Sequence, residues 1–276
     1  QLLDNKFIID SLTVTPKQTT FASGVDYMTD YDDWLNIQNG GVPDGEEKLD
    51  SEPRFIRNAR DLARIVFTDT SYSEALRGAF ILIEQGAFDH DGSNGPYVDN
   101  SRQKGFVNFG TSHLLRNLGA VELAMHSAWY QKWQVHLFAR PEALAGTVHN
   151  TLKGYLDAPI HASLLKNTEL LDRVVEANAA QNTNGAETYL LSQARLGRAL
   201  KEGSPLHPSY PAGHAVQNGA FATVLKAHVG LDRGSDCYSN PVFPDDDGLE
   251  LIDYKGGCLT FEGEINKLAV NVAFGR

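Results

Sequence analysis

Cysteine and methionine are scarce, with two of each in 276 residues. Cys237 and Cys258 alone cannot supply the four ligands of a structural zinc site, which excludes a zinc finger built on cysteine. They stand either as two buried thiols or as a disulfide closing the acidic loop between them, and their number and spacing leave both open. Long apolar runs are also missing. A stretch such as Ala79-Phe80-Ile81-Leu82-Ile83 falls far short of the ~20 residues that cross a bilayer as a helix, so no membrane span is expected. Positive charge is in deficit, 24 Lys and Arg against 35 Asp and Glu, for a net charge of −11. That balance argues against a nucleic-acid partner. Any anion site must therefore be a local gathering of cations against an unfavourable background. The chain starts at Gln1 with no recognisable signal peptide. It reads as a mature, processed or excised piece whose N-terminus does not disclose its compartment.

What is present supports a sizeable core: 42% of residues are hydrophobic, enough for one large domain or two modest ones. Residues 1–53 are polar and turn-rich, with Asn39-Gly40-Gly41-Val42-Pro43-Asp44-Gly45 a loop signal. They are expected to pack on a helical core spanning 54–276. From Arg54 apolar residues recur at helical spacing, as in Ile56, Ala59, Leu62, Ala63, Ile65 and Val66. The same texture predicts helices over 75–85, 112–133, 140–152, 164–179, 187–201, 211–230 and from about Phe261 to the end, where Leu268, Val270, Val272 and Phe274 supply apolar surface. Pro141 suits a first helical turn. Glu262 and Glu264 suit the dipole of the last helix. Short hairpins are allowed around 251–259. The loop Asp89-His90-Asp91-Gly92-Ser93-Asn94-Gly95-Pro96 is rich in oxygen ligands but lacks the bidentate Glu of an EF-hand. The fold class is mainly α.

Chemistry concentrates in His207-Pro208-Ser209-Tyr210-Pro211-Ala212-Gly213-His214-Ala215. Pro211 fits the first helical position. The amides of Ala212, Gly213 and His214 would then point out of the helix start without intrahelical partners. Such a start attracts phosphate-like anions, Gly213 has no side chain to hold one off, and His214 is suited to proton transfer. Alone, this is also what a plain helix start containing a histidine looks like. A second element is Lys132 with Arg140-Pro141, a point charge and a planar fork that can grip two oxygens. A third is Arg276.

In this order the three elements resemble the vanadium haloperoxidase and type 2 acid phosphatase superfamily, whose pattern is a Lys followed by Arg-Pro, then Pro-Ser-Gly-His, then an Arg followed by a His. The likeness extends to the vanadium-dependent bromoperoxidases of the red-algal type through Lys132-Trp-Gln-Val-His, Phe138-Ala-Arg-Pro-Glu-Ala-Leu, Gln217 to Lys226 and Cys258 to Arg276. The resemblance implies a helical-bundle fold of the haloperoxidase and acid-phosphatase type. It implies a vanadate cofactor held by Lys132, Arg140, Arg276 and the Gly213 amide. His214 would be the acid–base histidine, Lys132 would polarise peroxide, and His207 would lie near the vanadate. The implied reaction oxidises bromide with hydrogen peroxide to a brominating agent for an organic acceptor. A large homo-oligomer, a secreted or cell-wall location and calcium as a further ligand are also what the family leads one to expect.

Two departures matter. The family serine is Ala212 here, and a lost hydrogen bond to a charged group costs ~1.5–3 kcal/mol. The axial histidine that bonds vanadium would lie beyond Arg276, and the last helical pattern runs into Arg276 without a stop signal, so the helical domain is expected to be truncated at its C-terminus. Two rival readings follow: an acid phosphatase on the same site, or a non-catalytic oxyanion-binding fragment.

Overall fold

Apolar spacing near 3.6 residues dominates the chain, and the computed structural model is accordingly mostly helical. It describes residues 7–9, 11–42, 47–68, 73–84, 100–103, 110–192, 203–230 and 233–275. The oxygen-rich loop at 89–96 and Arg276 lie outside them. In chain order the helices are α1 (Tyr31–Gln38), α2 (Ala59–Thr68), α3 (Ser73–Glu84), α4 (Thr111–Ala120) and α5 (Glu122–Tyr130). A π-helix, Gln131–His136, follows α5 directly. Then come α6 (Pro141–Leu152), α7 (Ala162–Leu165), α8 (Thr168–Gln181), α9 (Gly213–Val229) and α10 (Phe261–Phe274). The strands are short: β1 (Phe7–Ile9) pairs antiparallel with β2 (Leu12–Val14), and β3 (Val242–Pro244) with β4 (Leu251–Asp253).

The chain divides into two compact units, each made of discontinuous segments. The first joins residues 1–20, 51–135 and 211–276. Its core is built by α3, α4, α9 and α10 through Ala75, Ala79, Leu82, Leu114, Leu118, Phe221, Leu225, Phe261 and Ile265. Small residues on α3 let the helices approach closely, and the large rings of Phe221 and Phe261 fill the remaining space. Thr260 starts α10 by accepting from the Gly263 amide at 3.1 Å. Cys237 and Cys258 form a disulfide in this unit, settling the alternative left open by their spacing. No helix among the described residues is long and apolar enough to cross a membrane.

The second unit joins residues 21–50 and 136–210. Its core is aromatic: Trp34 and Ile37 of α1 pack with Met28 and Leu190, and Tyr27 and Tyr31 lie against them. Helix α1 falls in a stretch whose polarity gave no helical signal. Asp30 caps it by accepting from the Asp32 amide at 2.9 Å. Trp34 and Ile37, three residues apart, then place their side chains on one inward face.

Three expectations are corrected. Residues 187–192 form no helix, because distant groups claim their backbone, and the rest of that expected helix lies outside the described residues. Asn178 donates to the Thr188 and Leu190 carbonyls at 3.2 and 3.0 Å, and His149 accepts from the Tyr189 amide at 3.2 Å. The 112–133 helix is broken at Val121 and changes to π-helix at Gln131. In α10 Val272 is buried while Val270 and Phe274 are exposed, since alternate residues point to different sides of a helix.

Two outcomes follow from the second unit. A Cβ at Gly146 would come within 2.1 Å of the Trp34 ring, so Gly146→Ala is expected to lower unfolding stability by ~1–3 kcal/mol, read from urea midpoints. His149 is buried, stacks on Tyr31 with ring centres 5.3 Å apart, and is held below its ordinary value by burial and then by Lys153. Below that ordinary value near 6.5 the unfolded chain takes up a proton that the folded one refuses. Stability is therefore full above it and declines as pH falls through it. His149→Gln should flatten this part of the stability profile.

Candidate oxyanion-binding site

Five of the six site positions expected from the sequence lie among the described residues, and they are divided between the two units. Lys132, Gly213 and His214 belong to the first, and Arg140 and His207 to the second.

In the first unit Lys132 sits on the π-helix and is 3% exposed, although its neighbours 133–135 face solvent. A π-helix is rare and concentrates at functional sites, because its wider turn re-aims side chains relative to the α-helix before it. Three residues earlier, Trp129 lies against the start of α9, where a Cβ on Gly213 would meet its Nε1 at 3.3 Å. The glycine therefore permits close packing of α5 on α9 as well as open access to its amide.

Helix α9 starts two residues later than the Pro211 rule predicts. Ala212 is the extended N-cap, its carbonyl accepts from Val216 at 3.1 Å, and Gly213 is the first helical residue. The exposed donors of the helix start thus shift to Gly213, His214 and Ala215. Ala212 brings no side-chain oxygen to cap this helix start, the arrangement from which helix-start anion sites are built. His214 is half-buried in this first turn.

In the second unit Arg140 and His207 come together. Arg140 is the N-cap of α6 and is 8% exposed. Its Nη1 donates to the His207 and Pro208 carbonyls at 3.4 and 3.3 Å, long for charge-assisted bonds. His207 Nδ1 lies 3.0 Å from the Pro208 carbonyl. Arg140 Nη1 lies 3.5 Å from the same Nδ1, so the tautomer decides whether His207 donates to the carbonyl or accepts from the guanidinium. Burial pushes the Arg140 guanidinium below its ordinary value, and the neighbouring Glu142 carboxylate opposes that push.

Groups that sequence reasoning missed hold this arrangement. Leu137 takes the left-handed conformation, φ 50°, and turns the chain out of the π-helix toward Arg140. Ser209 ties the two segments together, its amide donating to Phe138 O at 3.0 Å and its hydroxyl to Ala139 O at 2.8 Å. Glu142, 5% exposed, reads in the sequence only as an ordinary first-turn acid. Among the described residues no cluster of three or more His, Cys, Asp or Glu could hold a metal ion such as calcium.

Fold and cations together define a mainly helical protein of the haloperoxidase type. Comparison with known proteins sharpens this. The vanadium-dependent bromoperoxidase of Ascophyllum nodosum is 67% identical over all 276 residues, which cover 49% of that protein. The vanadium-dependent bromoperoxidase of Corallina pilulifera is 34% identical over 99% of this chain and 46% of its own length. Among solved structures, the homohexameric second vanadate-dependent bromoperoxidase of Ascophyllum nodosum superposes on the whole chain with a TM-score of 0.86 and 40% identity, over 47% of that chain. No protein-family model matches. The chain belongs to the vanadium-dependent bromoperoxidase family, and it spans about half the length of the curated relatives it matches.

Arg140→Lys keeps the charge and loses the fork that reaches two carbonyls. It is expected to cost ~1–2 kcal/mol in urea unfolding, with Arg140→Ala costing more because both carbonyls and the Glu142 carboxylate lose their cation.

Proposed function

We propose that the chain carries most of the vanadate site of an enzyme that oxidises bromide with hydrogen peroxide and so brominates an organic acceptor. The observation that carries this reading is the burial of Lys132 and Arg140 in a protein of net charge −11. Each is a cation held out of water, the kind of group from which an oxyanion site is built. The donor set suits a tetrahedral oxyanion: an ammonium, a guanidinium fork and the amides of an uncapped helix start. Lys132, Arg140, Arg276 and the Gly213 amide would hold vanadate. The residues present fit the group, with Ala212 leaving one hydroxyl donor fewer than the family pattern.

When bound, vanadate supplies a Lewis-acidic centre that activates peroxide toward bromide. The protein's own share is electrostatic. Lys132 and Arg140 neutralise oxyanion charge, and the α9 amides donate to it. Oxidation of bromide by peroxide consumes one proton and yields hypobromous acid and water, so the site needs a proton carrier. His214 and His207 would fill this role. Transfer of bromine to a carbon of the acceptor then releases water. The disulfide supports a secreted or cell-wall location, where thiols stay oxidised, and a homo-oligomer follows the hexameric relative.

The test is vanadate titration of the chain by vanadium NMR, beside bromination of a phenolic dye with peroxide and bromide. Binding is expected, weakened roughly ten- to hundredfold by Lys132→Ala or Arg140→Ala, with no hydrolysis of a simple phosphate ester. Vanadate affinity untouched by both substitutions would overturn the assignment, and vigorous ester hydrolysis would favour the phosphatase.

A further inference from the structure

Arg140 can serve an oxyanion only if its fork is held in one place, and the backbone leading into it is ill suited to hold itself. Residues 137–139 belong to neither a helix nor a strand. Leu137, at φ 50°, takes a left-handed conformation that any residue with a Cβ disfavours. Leu137 and Phe138 are both exposed, so burial of their side chains does little to offset that cost. The hold comes from a segment some seventy residues later, in the same unit. Ser209 donates its amide to the Phe138 carbonyl at 3.0 Å and its hydroxyl to the Ala139 carbonyl at 2.8 Å, so one residue binds two consecutive carbonyls. The two residues before it turn their own carbonyls on Nη1 of Arg140, at 3.4 and 3.3 Å. The 207–209 segment thus grips the backbone before Arg140 with Ser209 and the guanidinium with His207 and Pro208. Any residue except proline could supply the amide bond. The bond to Ala139, next to Arg140, needs a hydroxyl.

We infer that Ser209 is a positioning residue of the oxyanion site, its hydroxyl fixing the Ala139 carbonyl so that Arg140 presents its fork in one geometry. This rests on the oxyanion reading above. Ser209 acts through Arg140 and does not itself meet the anion. Without the hydroxyl, residues 137–139 are able to relax from the left-handed turn, and the long bonds to Nη1 are too weak to hold the fork alone. The guanidinium then spends part of its time away from the binding geometry. Apparent affinity falls in proportion to the fraction of molecules that stay competent. Once the guanidinium is gone there is nothing left to position, so the same hydroxyl should cease to matter.

The experiment is titration of the chain with orthovanadate by vanadium NMR, for wild type, Ser209→Ala, Ser209→Thr, Arg140→Ala and the Ser209→Ala, Arg140→Ala pair, each with a urea midpoint. Ser209→Ala is expected to weaken vanadate binding roughly three- to tenfold, and Ser209→Thr, which keeps the hydroxyl, to restore it. In the Arg140→Ala background Ser209→Ala should have no further effect on affinity, the non-additivity expected of two residues that act as one. A hydroxyl that served stability alone would lower the urea midpoint in both backgrounds and leave the affinity of the folded chain unchanged. Unchanged affinity in Ser209→Ala, or the same loss with and without Arg140, overturns this inference and leaves the oxyanion reading standing. Failure of wild type to bind vanadate overturns both.

Discussion

A guanidinium taken out of water has to be met by acceptors, and around Arg140 the second unit is arranged to meet it. The His207 and Pro208 carbonyls accept from it, Glu142 opposes the effect of burial on its charge, and Ser209 bonds the 207–210 segment to the residues that lead into Arg140. These contacts are individually long or modest, and together they hold a cation where an isolated charge would be expelled. The left-handed Leu137 is the local cost of presenting it.

The first unit solves the same problem with different parts. Its core is hydrophobic and insensitive to charge, four helices closed by Phe221 and Phe261. That rigid packing presents Lys132 from a π-helix and the open amides of α9 from a helix whose N-cap has no capping oxygen. Ala212 therefore has two consequences. It removes a hydroxyl that could have donated to an anion, and it also removes the oxygen that could have capped the amides in the anion's absence. The start of α9 is left with its donors uncommitted to any capping side chain, which is what an external oxyanion needs.

Glu142 lies in the same helical turn that begins with Arg140 and Pro141, so one short segment carries a buried cation and a buried carboxylate.

Much of this was legible in the sequence because it depends on local spacing. Helices α2, α3, α6, α9 and α10 follow apolar periodicity, and the Lys132, Arg140 and Gly213-His214 elements stand out by residue type and order. What was not legible depends on partners distant in the chain. Residues 187–192 have helical composition, yet they form no helix because Asn178 and His149 claim their backbone groups. The π-turn at Gln131 and the two-residue delay of α9 accompany the packing of α5 on α9, with Trp129 against Gly213. The two cysteines could have been thiols, and proximity in the folded chain made them a disulfide. By itself the sequence determined which groups could bind an oxyanion, since charge, donors and helix starts are properties of residues and their neighbours. Tertiary structure decided which of those groups are buried and which acceptors meet Arg140, because burial and enclosure arise only when distant segments exclude water together.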